Sequence, residues 1–167
     1  MTPAQPKPTK MHASPNTVLR LARLAVMAVS AALAPVAFAQ GGAQPRLPTV
    51  DLRAGMHTIK AELAVTPEQQ MMGMMFRQEM NGNEGMLFVA DQKSARCFWM
   101  KNTLVPLTIA FVADDGTIVN LADMQPLDER SHCSKAPVRF ALEMPQGWFD
   151  KRGIKAGFKL GGRPFGP

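Results

Sequence analysis

Arg77, Trp99, Lys101 and Asn102 stand among closely spaced apolar motifs: Met-Met-Gly-Met-Met-Phe-Arg (71–77), Gly-Met-Leu-Phe (85–88) and Cys-Phe-Trp-Met-Lys-Asn-Thr (97–103). A charged group set among Met, Phe and Trp must be paired, snorkel to water or face a ligand. The chemistry these residue types offer is recognition. Trp99 would be a stacking wall, with Lys101 and Arg77 as anion binders, a combination suited to a carboxylated or glycan ligand. The structural alternative pairs Arg77 with Glu79, Glu84 or Glu143 and uses the Asn102 amide to tie off the turn from Thr103 to Pro106. Alternation along a strand puts Trp99 and Lys101 on one face and Asn102 on the other, so the four need not converge.

Two other chemistries are weaker. Ten methionines follow residue 39, and the density of Met71, Met72, Met74 and Met75 invites Cu(I) binding through soft thioethers. Met at helical spacing more commonly fills core gaps, and His57 has no second His or Cys at ligand spacing, so no metal is expected. Cys97 with His132 resembles a thiol nucleophile and base, with Asp123 or Asp128 to orient it, but no motif fixes a triad or an oxyanion hole. Gly73 and Gly82 stand alone and form no phosphate-cradling loop, so no cofactor is expected.

The elements that position these groups are legible. His57 to Val65 alternates, with Ile59, Ala61, Leu63 and Val65 on one face, as a half-buried strand does. Thr66 is a good N-cap, Pro67 suits the first helical position, and Gln69 completes a capping box, which predicts a helix to about Met75 or Gln78. Met71, Met74, Met75 and Gln78 would form its packing stripe. Strands are expected at Met86–Ala90, Phe98–Asn102, Leu107–Ala113, Thr117–Met124 and Val138–Met144, with Asp114-Asp115-Gly116 as a hairpin turn. A helical turn near Trp148 to Arg152 stops at Gly153, and a last strand falls near Phe158 to Leu160. The pattern predicts a mainly β (α+β) domain: a small, largely antiparallel sheet closed into a barrel or folded into a sandwich, with one helix near its start and no crossover helices for a parallel α/β sheet.

Thr66-Pro67-Glu68 through Gly73-Met74-Met75-Phe76-Arg77, then Gly85 to Phe88, Phe98 to Thr103, Pro106-Leu107, and Leu142-Glu143 through Gly147 to Gly153-Ile154 and Gly157 closely resemble the family called domain of unknown function 192, or DUF192. The likeness covers about residues 50 to 160. It implies a small barrel-like β domain with an early helix, usually exported or anchored at the envelope, with no established activity. Thr108 departs from the family pattern, which most often has Asp after Pro-Leu.

The first 39 residues read as an export signal. Arg20 and Arg23 precede an apolar run from Leu24 to Phe38, and Ala37-Phe38-Ala39 predicts cleavage after Ala39. The run is about 15 residues, short of the roughly 20 of a spanning helix, and Pro35 interrupts it. Met11 is an alternative start to Met1. Removing Lys7, Lys10, Arg20 and Arg23 with the signal lowers the formal charge from +6 to +2, leaving no electrostatic footprint for nucleic acid. Residues 40–48 read as a flexible leader, 49–160 as one domain and 161–167 as a flexible tail. Cys97 and Cys133 are the only cysteines, and in an oxidising compartment two such residues pair. Closing a loop of this length would add about 4 kcal/mol on the chain-entropy model. The expectation is a monomeric periplasmic accessory or binding domain without stable membrane insertion, non-enzymatic, acting on an envelope component or a small anionic or glycan ligand. An undescribed periplasmic hydrolase or ligand-modifying enzyme is the alternative, and a Met-based Cu(I) binder the third.

Overall fold

The computed structural model describes residues 42–165, so the predicted signal, its cleavage site, the alternative start and the last two residues of the predicted tail lie outside the described residues. In chain order the elements are β1 (Thr49–Ala54), β2 (His57–Ala64), α1 (Pro67–Met72), β3 (Glu84–Ser94), β4 (Cys97–Phe98), β5 (Leu107–Val112), β6 (Ile118–Met124), β7 (His132–Cys133), β8 (Val138–Pro145) and a 3-10 turn (Asp150–Arg152). Six strands make one sheet in the order β1-β2-β3-β8-β5-β6, and β4 pairs with β7 in a small second sheet.

This is a mainly β fold with a lone helix, sandwich-like, and its main sheet is not closed into a barrel. The edge strands β1 and β6 do not pair with each other. Instead the chain after the 3-10 turn runs between them: Arg53 and Gly161 exchange backbone hydrogen bonds at 2.8 Å, and Ile118 N–H donates to the Phe158 carbonyl at 2.9 Å. The strand expected at 158–160 is therefore reduced to isolated bridges. Covering an edge in this way satisfies backbone groups that would otherwise template aggregation.

Pairing is antiparallel throughout the main sheet except between β2 and β3, which run parallel. The prediction that crossover helices are lacking is corrected here: α1 is the crossover of this one βαβ unit, and a parallel pair requires such a connection. β1 was not among the predicted strands; only Leu52 and Ala54 of its six residues are buried, too short an alternation to stand out.

Each face of the sheet buries its own core. Leu52, Ile59, Ala61, Leu87, Phe140, Leu142, Trp148, Phe149 and Leu160 pack on one side. Met74, Met86, Phe88, Met100, Ile109, Phe111 and Met124 pack on the other. Each fully buried Phe or Leu stabilises the fold by roughly 1.5–3 kcal/mol. The second core is roofed by β4, whose Phe98 ring meets Phe88 edge-on at 4.9 Å and Phe111 at 5.9 Å.

β4 is two residues long, where the alternation predicted a strand over 98–102, because Lys101 and Asn102 turn the chain. Cys97 stands opposite Cys133 in this short ladder and the two are disulfide-bonded. The bond consumes the thiol, so the Cys97–His132 nucleophile pair considered from sequence does not exist. Two thiols are expected to appear only after reduction, with a stability loss of about 2–4 kcal/mol on replacing both cysteines by Ser. Thiol titration of the denatured protein with and without reductant, followed by denaturation of the double variant, checks both.

Candidate functional site

α1 begins as its sequence requires. The Thr66 hydroxyl accepts from Gln69 N–H at 3.3 Å, and the Gln69 side chain accepts from Thr66 N–H at 3.0 Å. The helix is shorter than predicted and stops at Gly73, whose φ of 47° and ψ of −128° favour glycine. A Cβ there would also press on the Phe88 ring at 3.3 Å. The predicted stripe is therefore broken: Met74 is buried, Met75 half-buried, Gln78 exposed and Met71 77% exposed.

Around the end of α1 the chain encloses a cavity of about 260 Å³, lined by Met71, Met72, Met74, Met75, Phe88, Phe98 and Trp99, with Gln70, Arg96, Thr103 and Glu143 as its polar members. Glu143 is its distinctive group. It lies on β8 between Met86 of β3 and Ile109 of β5, and is 4% exposed. Among the described residues no side chain pairs with its carboxylate. Burial pushes the Glu143 carboxyl up to about 8, so it is mostly protonated at neutral pH. Gly85 lets β3 approach this point: a Cβ there would sit 2.7 Å from the Glu143 carbonyl oxygen.

Two larger clefts lack such a group. One of about 610 Å³ lies along Arg53 and the 159–163 segment. One of about 420 Å³ runs past Asn120, Asp123, Lys135, Asp150 and Lys155. In the second, Thr108, the departure from the family pattern, donates to Asp123 Oδ1 at 2.6 Å and accepts from Gly147 N–H at 3.2 Å. Its hydroxyl is thus fully used in tying β5 to β6 and to the turn after β8.

Three residues in loops joined to one another, two of them next in sequence to the cavity-lining Met75 and Thr103, are held in uncommon conformations. Phe76, Asn102 and Leu127 all have positive φ, at 62°, 56° and 62°. The backbone joins them: Phe76 N–H donates to the Asn102 carbonyl at 2.8 Å, and Leu127 N–H to the Thr103 carbonyl at 3.1 Å. Asn tolerates this region, but Phe and Leu adopt it at a cost of order 1–3 kcal/mol, and such strain gathers at binding sites. Of the large exposed apolar side chains, Met71 and Trp99 line the cavity itself, and Leu104 and Leu127 lie beside or within these loops.

The four residues singled out from sequence separate. Arg77 is buried and makes a bidentate pair with Glu62 at 2.9 and 2.7 Å. None of the expected partners Glu79, Glu84 and Glu143 is used, because β2 turns Glu62 onto the face that the chain after α1 crosses. Burial would raise the Glu62 carboxyl, but hydrogen bonds from Leu47 N–H, Arg46 and Arg77 outweigh it and hold the carboxyl below its ordinary range. Trp99 is 47% exposed at the pocket, with Lys101 Nζ 5.2 Å from its ring centre. These two do share a side. Asn102 serves its turn through its backbone, while its amide reaches Met75 sulfur at 4.0 Å.

Sequence reasoning missed Glu143 and Arg96 as pocket residues. The signal for Glu143 was present as one acid within the apolar run Phe-Ala-Leu-Glu-Met of a strand, read there only as a salt-bridge partner. Among the described residues, no group of three or more His, Cys, Asp or Glu could hold a metal ion, and no helix is long and apolar enough to cross a membrane.

The family pattern DUF192, an uncharacterized ACR, matches residues 50–162. No curated protein matches the chain. Among solved structures, a protein described as a candidate transcription regulator from Sinorhizobium meliloti 1021 is similar, with 34% identity and a TM-score of 0.68 over 71% of this chain and 97% of that one. A protein of unknown function from Novosphingobium aromaticivorans DSM 12444 is similar at 36% identity and a TM-score of 0.66, covering 70% of this chain and 86% of that one.

Proposed function

This chain belongs to the DUF192 family, and from that premise we propose that it is an exported binding module whose pocket takes up a small organic ligand. The observation that carries this reading is Glu143, a buried carboxyl with no partner among the described residues, facing a cavity walled by thioethers and aromatic rings. A carboxyl buried in an apolar site without a cationic partner is costly to ionise, and a ligand that hydrogen-bonds to it from the cavity is favoured there. The cavity is half-open to solvent, which suits binding and release.

Periplasmic residence, with cleavage after Ala39, belongs to the same proposal. It is supported by the signal-like first 39 residues and by a solvent-facing disulfide, a bond that persists where thiols are not kept reduced. The Sinorhizobium protein's description as a regulator is not carried over, because a formal charge of +2 after residue 39 is a poor match to nucleic acid. The copper reading has no further support: Met74 is committed to the core and the Met75 sulfur to Asn102. A hydrolase is the second reading, favoured by the same Glu143, since a carboxyl protonated at neutral pH is what a general acid requires. Among the described residues, Glu143 is however the sole acid lining its pocket, with no second carboxylate to act as base or nucleophile.

The test is recovery of the protein from its own envelope under native conditions, with mass spectrometry of the mature chain and of any small molecule carried with it. Gln40 as the first residue and a bound organic molecule, lost on Trp99→Ala without loss of stability, are expected. A Trp99→Ala protein that binds as the parent does places the ligand elsewhere.

A further inference from the structure

Resting on the pocket reading above, we infer that the ligand is an organic anion, a carboxylate on an apolar body, with its charged end anchored by Arg96. Arg96 lines the cavity from the residue before the disulfide, and its side chain is half-buried. Among the described residues it has no carboxylate within ion-pair distance. One amino group donates to Gln70 Oε1 at 2.9 Å, and the guanidinium lies 5.5 Å from the Phe98 ring centre. A guanidinium carries five N–H donors in a planar fork that matches a carboxylate, so most of its capacity is open.

The backbone that carries the anchor is tied down on both sides. Arg96 N–H donates to Ser134 Oγ at 3.0 Å and the Arg96 carbonyl accepts from Ser134 N–H at 2.8 Å, next to the Cys97–Cys133 bond.

Charge selects the sign of the ligand. Facing Glu143 are Met86 from β3, Ile109 from β5, and the Met and aromatic walls. Beyond Met86 lies Glu62, already neutralised by Arg77 and Arg46. The one formal charge lining the cavity at neutral pH is therefore Arg96, with Lys101 adding a second cation over Trp99 at the mouth. An ammonium ligand would meet like charge. An anion meets Arg96 at one end of the cavity, while the protonated Glu143 offers an O–H donor to a second polar group. Raising the pH ionises Glu143 and sets a negative charge in the same cavity, so the anion is held less well.

Three probes with one body and different heads decide it: 3-phenylpropionate, 3-phenylpropylammonium and 3-phenylpropanol, followed by calorimetry and by tryptophan emission, with Trp99→Phe separating the Trp99 signal from that of Trp148. At about pH 6 the propionate is expected to bind at least about tenfold more tightly than the other two, a difference of about 1.4 kcal/mol. Arg96→Gln removes that preference and Arg96→Lys keeps part of it, so a folding defect is separable from loss of charge. Propionate affinity falls toward about pH 9 in the parent and stays level in Glu143→Gln. Ammonium binding as tight as propionate, or propionate indifferent to Arg96→Gln, overturns the anion assignment and leaves the pocket standing. Failure of all three probes to bind or move Trp99 emission overturns the pocket reading itself.

Discussion

Glu143→Gln is expected to stabilise the protein, and by an amount that grows with pH. In the fold the Glu143 carboxyl titrates at about 8, against an ordinary value of 4.5, because burial disfavours its charge. Below about pH 4 the side chain is protonated in folded and unfolded chains alike, and its contribution to stability is fully present. Between the two values the unfolded chain gives up the proton while the folded one keeps it, so stability falls by about 1.4 kcal/mol per pH unit. Above the folded value both forms are ionised and the loss stops growing, at about 4–5 kcal/mol in total. That is a large share of the roughly 5–15 kcal/mol by which a domain of this size is stable. Glutamine fills the same space and does not titrate. Urea denaturation of parent and variant near pH 5, 7 and 9 should show curves that diverge as pH rises; parallel curves would mean that Glu143 is solvated or paired in solution. A side chain that costs this much where glutamine would not is better explained by its place in the pocket than by packing.

The second large effect is expected at Arg77. Arg77→Met leaves Glu62 buried with its bidentate partner gone, and breaking a buried pair from one side costs about 3–5 kcal/mol. Arg46 and Leu47 N–H still hold the Glu62 carboxylate, which places the loss toward the lower end. Replacing both, as Glu62→Met with Arg77→Met, should be milder than Arg77→Met alone, since no uncompensated charge remains. Probe binding at the Glu143 pocket should persist in whatever fraction of Arg77→Met folds. A cost below about 1 kcal/mol, or a double variant worse than the single, would show that the pair is not the support it looks to be. The buried Arg77 Nε, which has no partner, already shows that the pair is imperfectly satisfied and not an optimised anchor.

These two residues show where reading the chain succeeds and where it stops. Both were visible as candidates, Arg77 for a ligand and Glu143 for a salt bridge, and the fold exchanges their roles. Arg77 is the paired residue and Glu143 the pocket residue. Nothing in spacing along the chain distinguishes the two outcomes, because Glu62 and Arg77 meet only through the α1 crossover, while Glu143 is placed by its register against Met86 and Ile109. Arg96 gave no signal at all, standing in a polar run before Cys97.

What local interactions govern was determined by the sequence itself. The capping box of α1, the turn at Asp114-Asp115-Gly116, the stop at Gly153 and the mainly β class all follow from propensity and period, and the pairing of the two cysteines was expected from their count; the alternation expected of β2 held only in part, since Glu62 and Ala64 are buried and Val65 lies beyond the strand, 49% exposed. The tertiary structure alone decided the rest: an open sheet with its edges bridged by residues near 160, the parallel β2–β3 pair, the exposure of Met71, and one cavity lined both by the buried Glu143 and by Arg96, which has no carboxylate partner among the described residues. The physical reason is range. Backbone geometry and capping are settled within a few residues, whereas burial, desolvation and charge pairing depend on which distant segments the sheet brings together.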